Sequence, residues 1–396
     1  MHFKKTTSLD WKRTQWLKLI IVIGLLSGFL LSVKLWGSDR FFPLAPVLEF
    51  LPPIPANWDY FIYGCFALLL IAIALARHPQ RLLWIFLSLA LAYGLWDQNR
   101  WQPWFYQYLW MLGALGFVNW EKSDSARQAE VLNIARLIVA SLYIWSGIQK
   151  ANIVFVQEIF PWLVNPFTQT WPDNVRQALN LWGYSIPLLE AAIGVGLLTQ
   201  RFRTLFVALA VAMHLFILVC IGPWGHNANT VIWPWNLAMI AFVLLLFTKA
   251  ETVTLKEILW TKKSLRHNLA LLVFGIMPLF SFFNLWDSYF SAALYSGNIS
   301  HAHIFIEEPL KERLPKSVWA FLRKPDSRAG YKLDFVSWSN QTLGVPPYPE
   351  ARFYRQIARY LCNYATQPSH LLLVIEGKPN WISGRRQSSV YNCSSL

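Results

Sequence analysis

The sequence predicts an all-α polytopic membrane helix bundle of about nine transmembrane helices, with a small α+β extracytoplasmic domain at its C-terminus. Three observations carry this. Charged residues make up only 14% of the 396 positions and apolar residues 55%, whereas soluble domains carry about a quarter charged residues. Apolar runs recur nine times along the chain, many near the ~20 residues that cross a ~30 Å hydrocarbon core. Lys and Arg concentrate in alternate loops, the pattern expected when the basic loops stay in the cytoplasm. Trp16, Trp36, Trp58, Trp96, Trp182, Trp224 and Trp286 flank apolar runs, where an indole keeps its body in apolar surroundings and its N–H wet. Net charge is +14. Cytoplasmic loops and anionic headgroups account for that charge, so no nucleic-acid partner is expected.

The first run, Leu17 to Trp36, follows Lys4, Lys5, Lys12, Arg13 and Lys18, and no small-residue cleavage site follows it. It reads as a signal anchor with a cytoplasmic N-terminus. Further runs cover 59–77, 82–96, 104–119, 131–150, 184–200, 203–222, 230–248 and 268–291. The intervening cytoplasmic loops are then Arg77 to Arg81, Lys122 to Arg127, Arg201 to Arg203 and Lys249 to Arg266, each containing Lys or Arg. The third and fourth runs are short. The stretch after Lys150 is too apolar for a linker and predicts a helix extension followed by an interfacial or re-entrant piece.

Residues 1–298 form the bundle and 299–396 the extracytoplasmic domain, where composition turns polar. There Ile304 to Ile306, Tyr331 to Trp338 and Leu371 to Glu376 read as strands. Tyr348 to Ala365 reads as an amphipathic helix with Phe353, Ile357, Tyr360 and Leu361 on one face. Outside the cytoplasm, Cys362 and Cys393 are candidates for a disulfide. Asn298-Ile-Ser and Asn340-Gln-Thr are acceptor sites for glycans if they are exposed on a secretory membrane; a bacterial inner membrane is the default.

Charged groups inside spanning runs are costly and mark candidate sites. Glu190 lies ~9 Å and His214 ~12 Å from the outer ends of the sixth and seventh helices at 1.5 Å per residue. These helices form a hairpin around Gln200-Arg201-Phe202, so the two groups match in depth. They are either a proton relay or a pair that locks the hairpin. Lys150 ends an apolar run and is followed at once by Ile153-Val-Phe-Val. It is either a desolvated base or a lysine snorkelling to the interface. His226, Asn227 and Asn236, beside a Gly222-Pro-Trp-Gly turn, are candidates for the wall of a ligand site, together with Trp145; the alternative is a solvated loop. His301 and His303 share one strand face, but no third metal ligand is visible and no metal is expected. All the bundle positions fall in the outer half of helices five to eight, which describes a polar pocket between helices.

Ser146-Gly-Ile-Gln-Lys150, Trp182-Gly-Tyr-Ser-Ile-Pro-Leu-Leu-Glu190, Thr199-Gln-Arg-Phe-Arg203 and Met213-His-Leu occur in that order. This stretch, Tyr143 to Phe247, resembles the membrane core shared by the vitamin K-dependent gamma-carboxylase family and its bacterial HTTM relatives. In that family a Gly-x-x-Lys at a helix end carries a functional Lys, here Lys150. Glu190 to His214 is also similar to DoxX and MauE-type membrane proteins, which are linked to quinone and thiol redox processes. The C-terminal module, about 95 residues, is much smaller than the carboxylase's lumenal region. The resemblance therefore implies a quinone-like or other lipid-soluble ligand and Lys150 as base, rather than carboxylation of Glu. No cofactor motif identifies a bound group.

The expected function is binding of a lipid-soluble ligand, with proton-coupled redox chemistry as its enzymatic form. The alternative is a non-enzymatic accessory protein for an extracytoplasmic redox partner. A transporter is disfavoured, because the sequence carries neither an inverted repeat nor paired broken helices.

Overall fold

A computed structural model describes residues 3–52, 54–55, 58–120, 124–250, 253–259, 264–325 and 330–396. Lys122, Lys262 and Lys263 of the basic loops lie outside the described residues. Each apolar run carries a helix: α1 (Phe3–Leu31), α2 (Trp58–Leu75), α3 (Gln80–Gly94), α4 (Pro103–Leu115), α5 (Ser125–Lys150), α6 (Ser185–Leu198), α7 (Arg203–Ile221), α8 (Ile232–Phe247) and α9 (Leu265–Phe283).

Among the described residues, 6 helices are long and apolar enough to cross a membrane: α1, α2, α5, α6 with the helical stretch leading into it from Asp173, α7 and α9. The expectation of nine is not met on length. α3 and α8 have 15 and 16 residues, and α4 has 13. α4 is buried on nearly every side, as a helix apolar all round should be. α9 stops at Phe283, short of the expected 291, where Asn284 turns left-handed at φ 58°. The stretch after Lys150 is helical: a π-helical turn at Phe155–Ile159, then Phe160–Thr168 and Asp173–Asn180.

Several basic side chains close helix ends away from the C-terminal sheet. Lys18 donates to the Ala74 and Ala76 carbonyls at the end of α2 (3.1 and 3.2 Å). Arg136 donates to Leu246 O (2.7 Å), Arg13 to Lys249 O (3.1 Å) and Arg203 to Val253 O (2.9 Å), all at or just beyond the end of α8. The last carbonyls of a helix have no intrahelical donor and carry the negative end of its dipole, so cations suit them.

The C-terminal region is a five-stranded antiparallel sheet in the order β2-β3-β1-β4-β5. Its strands are β1 (His301–Ile306), β2 (Leu322–Arg323), β3 (Tyr331–Leu333), β4 (Leu371–Glu376) and β5 (Ser388–Asn392). The expected strand Tyr331 to Trp338 is half right. After Leu333 the Asp334 carboxylate accepts from Ser337 N (3.1 Å) and starts α10 (Phe335–Leu343), the usual work of an Asp N-cap. α11 (Ala351–Cys362) buries Phe353, Ile357 and Leu361; Tyr360 is on its exposed side. Cys362 and Cys393 are joined by a disulfide, with Cα atoms 5.6 Å apart.

This region is bonded to the bundle. Tyr348 N donates to Asn99 Oδ1 (2.8 Å), the Trp338 ring packs 4.5 Å from Phe42, and Arg352 pairs with Asp287 through both guanidinium nitrogens. Asn298 is 1% exposed and donates to Gln149 Oε1 (2.6 Å). That burial closes the first glycan acceptor site. Asn340 sits within α10 with its Oδ1 buried.

Candidate functional site

The site grows from the contact of α5 with α6. Gly147 of α5 faces the α6 backbone: a Cβ there would lie 2.5 Å from both Pro187 O and Ala191 N. Gly194, two turns further along, would meet Ala140 O at 2.7 Å. Only glycine allows helices so close, and this approach brings their polar side chains together. One turn past Gly147, Lys150 Nζ is 2.8 Å from Glu190 Oε2 and also donates to Ser146 Oγ. The pair is nearly enclosed, with side-chain exposures of 13% and 8%.

A second polar chain runs from α5 through α7 to α8. Tyr143 Oη is 2.6 Å from His214 Nε2, and His214 Nδ1 is 2.7 Å from Asn236 Oδ1. Asn236 Nδ2 donates to Ile232 O (2.8 Å). That last bond fixes the amide, so its oxygen faces the imidazole. An amide oxygen only accepts, so Nδ1 carries the proton and Nε2 of the neutral ring accepts from the Tyr143 hydroxyl. Tyr143, Ser146 and Lys150 stand at i, i+3 and i+7 and share one helix face.

Both groups border one cavity of about 140 Å³. Its walls are apolar: Leu142, Phe155, Ile159, Phe160, Leu163, Ile186, Leu189, Met213, Ile217 and Met239, with Trp235 beside them. A dry cavity of ~150 Å³ accepts a benzene ring, so the space suits one six-membered ring. Leu189 and Phe216 on the α6 and α7 side are 40% and 42% exposed, which leaves the cavity open sideways. Ala292, Leu294 and Tyr295 cover its other end. Ala292 and Tyr295 hold φ of 57° and 54°, values uncommon for residues other than glycine and found mostly where surrounding structure enforces them. Burial pushes the Tyr295 phenol up to about 12, and Asn229 donates to its oxygen (3.0 Å).

Several sequence expectations change here. Glu190 does not hydrogen-bond His214; it pairs with Lys150, while His214 takes Tyr143 and Asn236. Lys150 is held between Glu190 Oε2 and Ser146 Oγ. Trp145 points away, donating to Gly275 O (3.2 Å) on α9. His226 stacks on Trp162 at 4.1 Å and bonds its carbonyl (2.6 Å), outside the cavity. Asn227 makes a left-handed turn at φ 48° and does not line the cavity either. Asn236 does line it. His303 is 3.8 Å from Glu376, and among the described residues no group of three or more His, Cys, Asp or Glu comes together to hold a metal.

Tyr143 and Ser146 are site residues that sequence reasoning passed over. The available signal was a hydroxyl two turns before Lys150 on its own face, in a run with few other polar groups to bond it. No family model, curated protein or solved structure matches the chain.

Proposed function

We propose that this chain is a multi-pass membrane protein that holds a lipid-soluble, quinone-like ligand in the cavity between α5, α6, α7 and α8. In this reading the N-terminus is cytoplasmic, the helices make nine crossings and the sheet domain is extracytoplasmic. The disulfide supports that orientation, since disulfides persist in oxidising compartments. The observation that carries the ligand reading is the convergence of two polar groups on one ring-sized, apolar-walled space. Ligand sites commonly combine apolar walls with a few placed polar groups.

The residues present fit such a head group. An ammonium has three N–H donors; Ser146 and Glu190 take two, and among the described residues the third is left for a ligand carbonyl. The Tyr143 oxygen, having given its proton toward His214, can accept from a ligand hydroxyl. The open side between α6 and α7 gives an apolar tail a route into the bilayer. A quinone-like group, when bound, would supply two-electron redox chemistry. The chain's own part would be proton handling, with His214 Nε2 accepting through the Tyr143 hydroxyl and Asn236 holding the imidazole in the tautomer that can accept. Lys150 would orient the head group, with Glu190 and Ser146 holding its amine in place. The resemblance to the HTTM and DoxX-type cores agrees with this reading, except that it assigns the base to Lys150.

Lipid-extract mass spectrometry on purified protein tests it, with wild type beside Lys150→Ala and Tyr143→Phe. The second variant removes one oxygen and leaves the ion pair intact. A prenylated or similar lipid enriched on wild type and depleted on both variants is expected. No enriched lipid on wild type would overturn the reading in favour of the accessory-protein alternative.

A further inference from the structure

A second cavity, about 310 Å³, lies between α3, α4 and α9, away from the site above. Trp84 and Leu91 of α3 and Leu269 of α9 form its rim and are 38%, 49% and 41% exposed, so it opens sideways. Its floor is α4. At Gly113 an added Cβ would meet nothing within 4 Å, so the floor there is empty space rather than a close backbone approach. From Tyr106 to Phe117 the groove follows α4 for roughly 15 Å at ~1.5 Å per residue, about the depth of one leaflet of a ~30 Å hydrocarbon core.

One end carries charge. The Arg266 guanidinium lies 4.1 Å over the Phe117 ring at the mouth farthest from the sheet domain. The Glu130 carboxylate is 3.7 Å from it and is shared with Arg127 (2.9 Å) and the Ser264 hydroxyl. Among the described residues in contact there, two guanidiniums share one carboxylate, a net positive mouth, and a guanidinium in this setting matches a phosphate oxygen pair. The other end is closed by Tyr106, stacked on Phe290 at 4.3 Å.

We infer that this groove binds one phospholipid of the leaflet facing the basic loops, an acyl chain lying along α4 and the phosphate against Arg266. The chemistry favours an anionic headgroup: its phosphate balances the one net positive charge of the mouth, whereas a zwitterionic headgroup brings a cation of its own and leaves that charge unbalanced. The inference rests on the membrane reading of the chain and not on the identity of the ligand near Lys150.

Native mass spectrometry of the delipidated full-length protein tests it, with phosphatidylglycerol or phosphatidylcholine added back. Wild type is expected to take up one lipid and to prefer phosphatidylglycerol severalfold. Gly113→Leu fills the empty floor, and uptake should fall about tenfold. Arg266→Gln should keep the chain in the groove and bring the headgroup preference down to about one. Should Gly113→Leu fail to fold, Leu91→Trp fills the groove from its exposed rim. Undiminished uptake by the filled variants would overturn the acyl-chain placement, and an unchanged preference in Arg266→Gln would overturn the phosphate contact. Tyr143→Phe leaves this groove untouched and should bind phosphatidylglycerol as wild type does, which separates this result from that at the other cavity.

Discussion

Replacing one member of the Lys150–Glu190 pair leaves the other buried without its partner. Two unit charges 2.8 Å apart attract by roughly 6 kcal/mol at an effective dielectric of about 20, before the cost of removing both from water. Desolvation offsets much of that, so the pair as a whole adds little stability. A single truncation, in contrast, costs about 3–5 kcal/mol because an uncompensated charge stays inside. Lys150→Met and Glu190→Leu should each destabilise by about 3 kcal/mol. The double variant should return to within about 1 kcal/mol of wild type, since apolar groups of similar volume often replace a buried pair without loss. At roughly 2 °C per kcal/mol, each single variant melts about 6 °C low and the double about 2 °C low or less. Fluorescence-detected size exclusion after heating reads these shifts in detergent. A double variant as unstable as the sum of the singles would refute the pairing. Single variants melting like wild type would return Lys150 to the snorkelling role.

Other consequences follow from the same contacts. Gly147→Ala drives a Cβ into the α6 backbone, with two atoms at 2.5 Å, and should cost about 1–3 kcal/mol as overpacking does; the melting temperature and the ligand content of the lipid extract should fall together. His301 in β1 is held down to about 4 by burial first, then by Arg386 and His303, and its buried Nε2 has no hydrogen-bond partner among the described residues. A depressed folded pKa means that the unfolded chain takes up the proton first. Its contribution, at most about 3 kcal/mol, is therefore complete above pH 6.5 and is lost as pH falls toward 4; His301→Phe should flatten the stability profile across that window. The disulfide closes a loop between cysteines 31 residues apart, and its reduction should cost about 3–4 kcal/mol. Alkylation under non-reducing conditions should label only Cys65 and Cys220.

The helices were legible because composition alone marks an apolar run, and the basic loops were legible because Lys and Arg are sparse in the apolar runs between them. What sequence could not give was rotation about each helix axis. Counting from the Gln200-Arg201-Phe202 turn matched Glu190 and His214 in depth, yet the two turn toward different partners. Glu190 faces α5 because Gly147 and Gly194 let α6 lie against it; His214 faces Tyr143 and Asn236, whose hydroxyl and amide complete its two ring nitrogens. Helix three-dimensional length misled in the other direction. α4 is too short to be judged a crossing by its 13 residues, but its burial on nearly all sides explains why its sequence reads as apolar as the rest. In the sheet domain, hydrophobic alternation over Tyr331 to Trp338 suggested one strand, whereas Asp334 was the local cue for a helix start. Trp145 and His226 show the limit of reading a site from proximity in sequence: each lies near a site residue along the chain and turns its ring to a different neighbour.

The central claim is that Lys150 and Tyr143 face one bound lipid-soluble head group. Cryo-electron microscopy of the protein extracted directly into native-membrane nanodiscs tests this most directly. The account predicts a ring-sized density between the Lys150 ammonium and the Tyr143 hydroxyl, with a tail leaving between α6 and α7. A cavity that holds only water, or whose density touches neither residue, would contradict it.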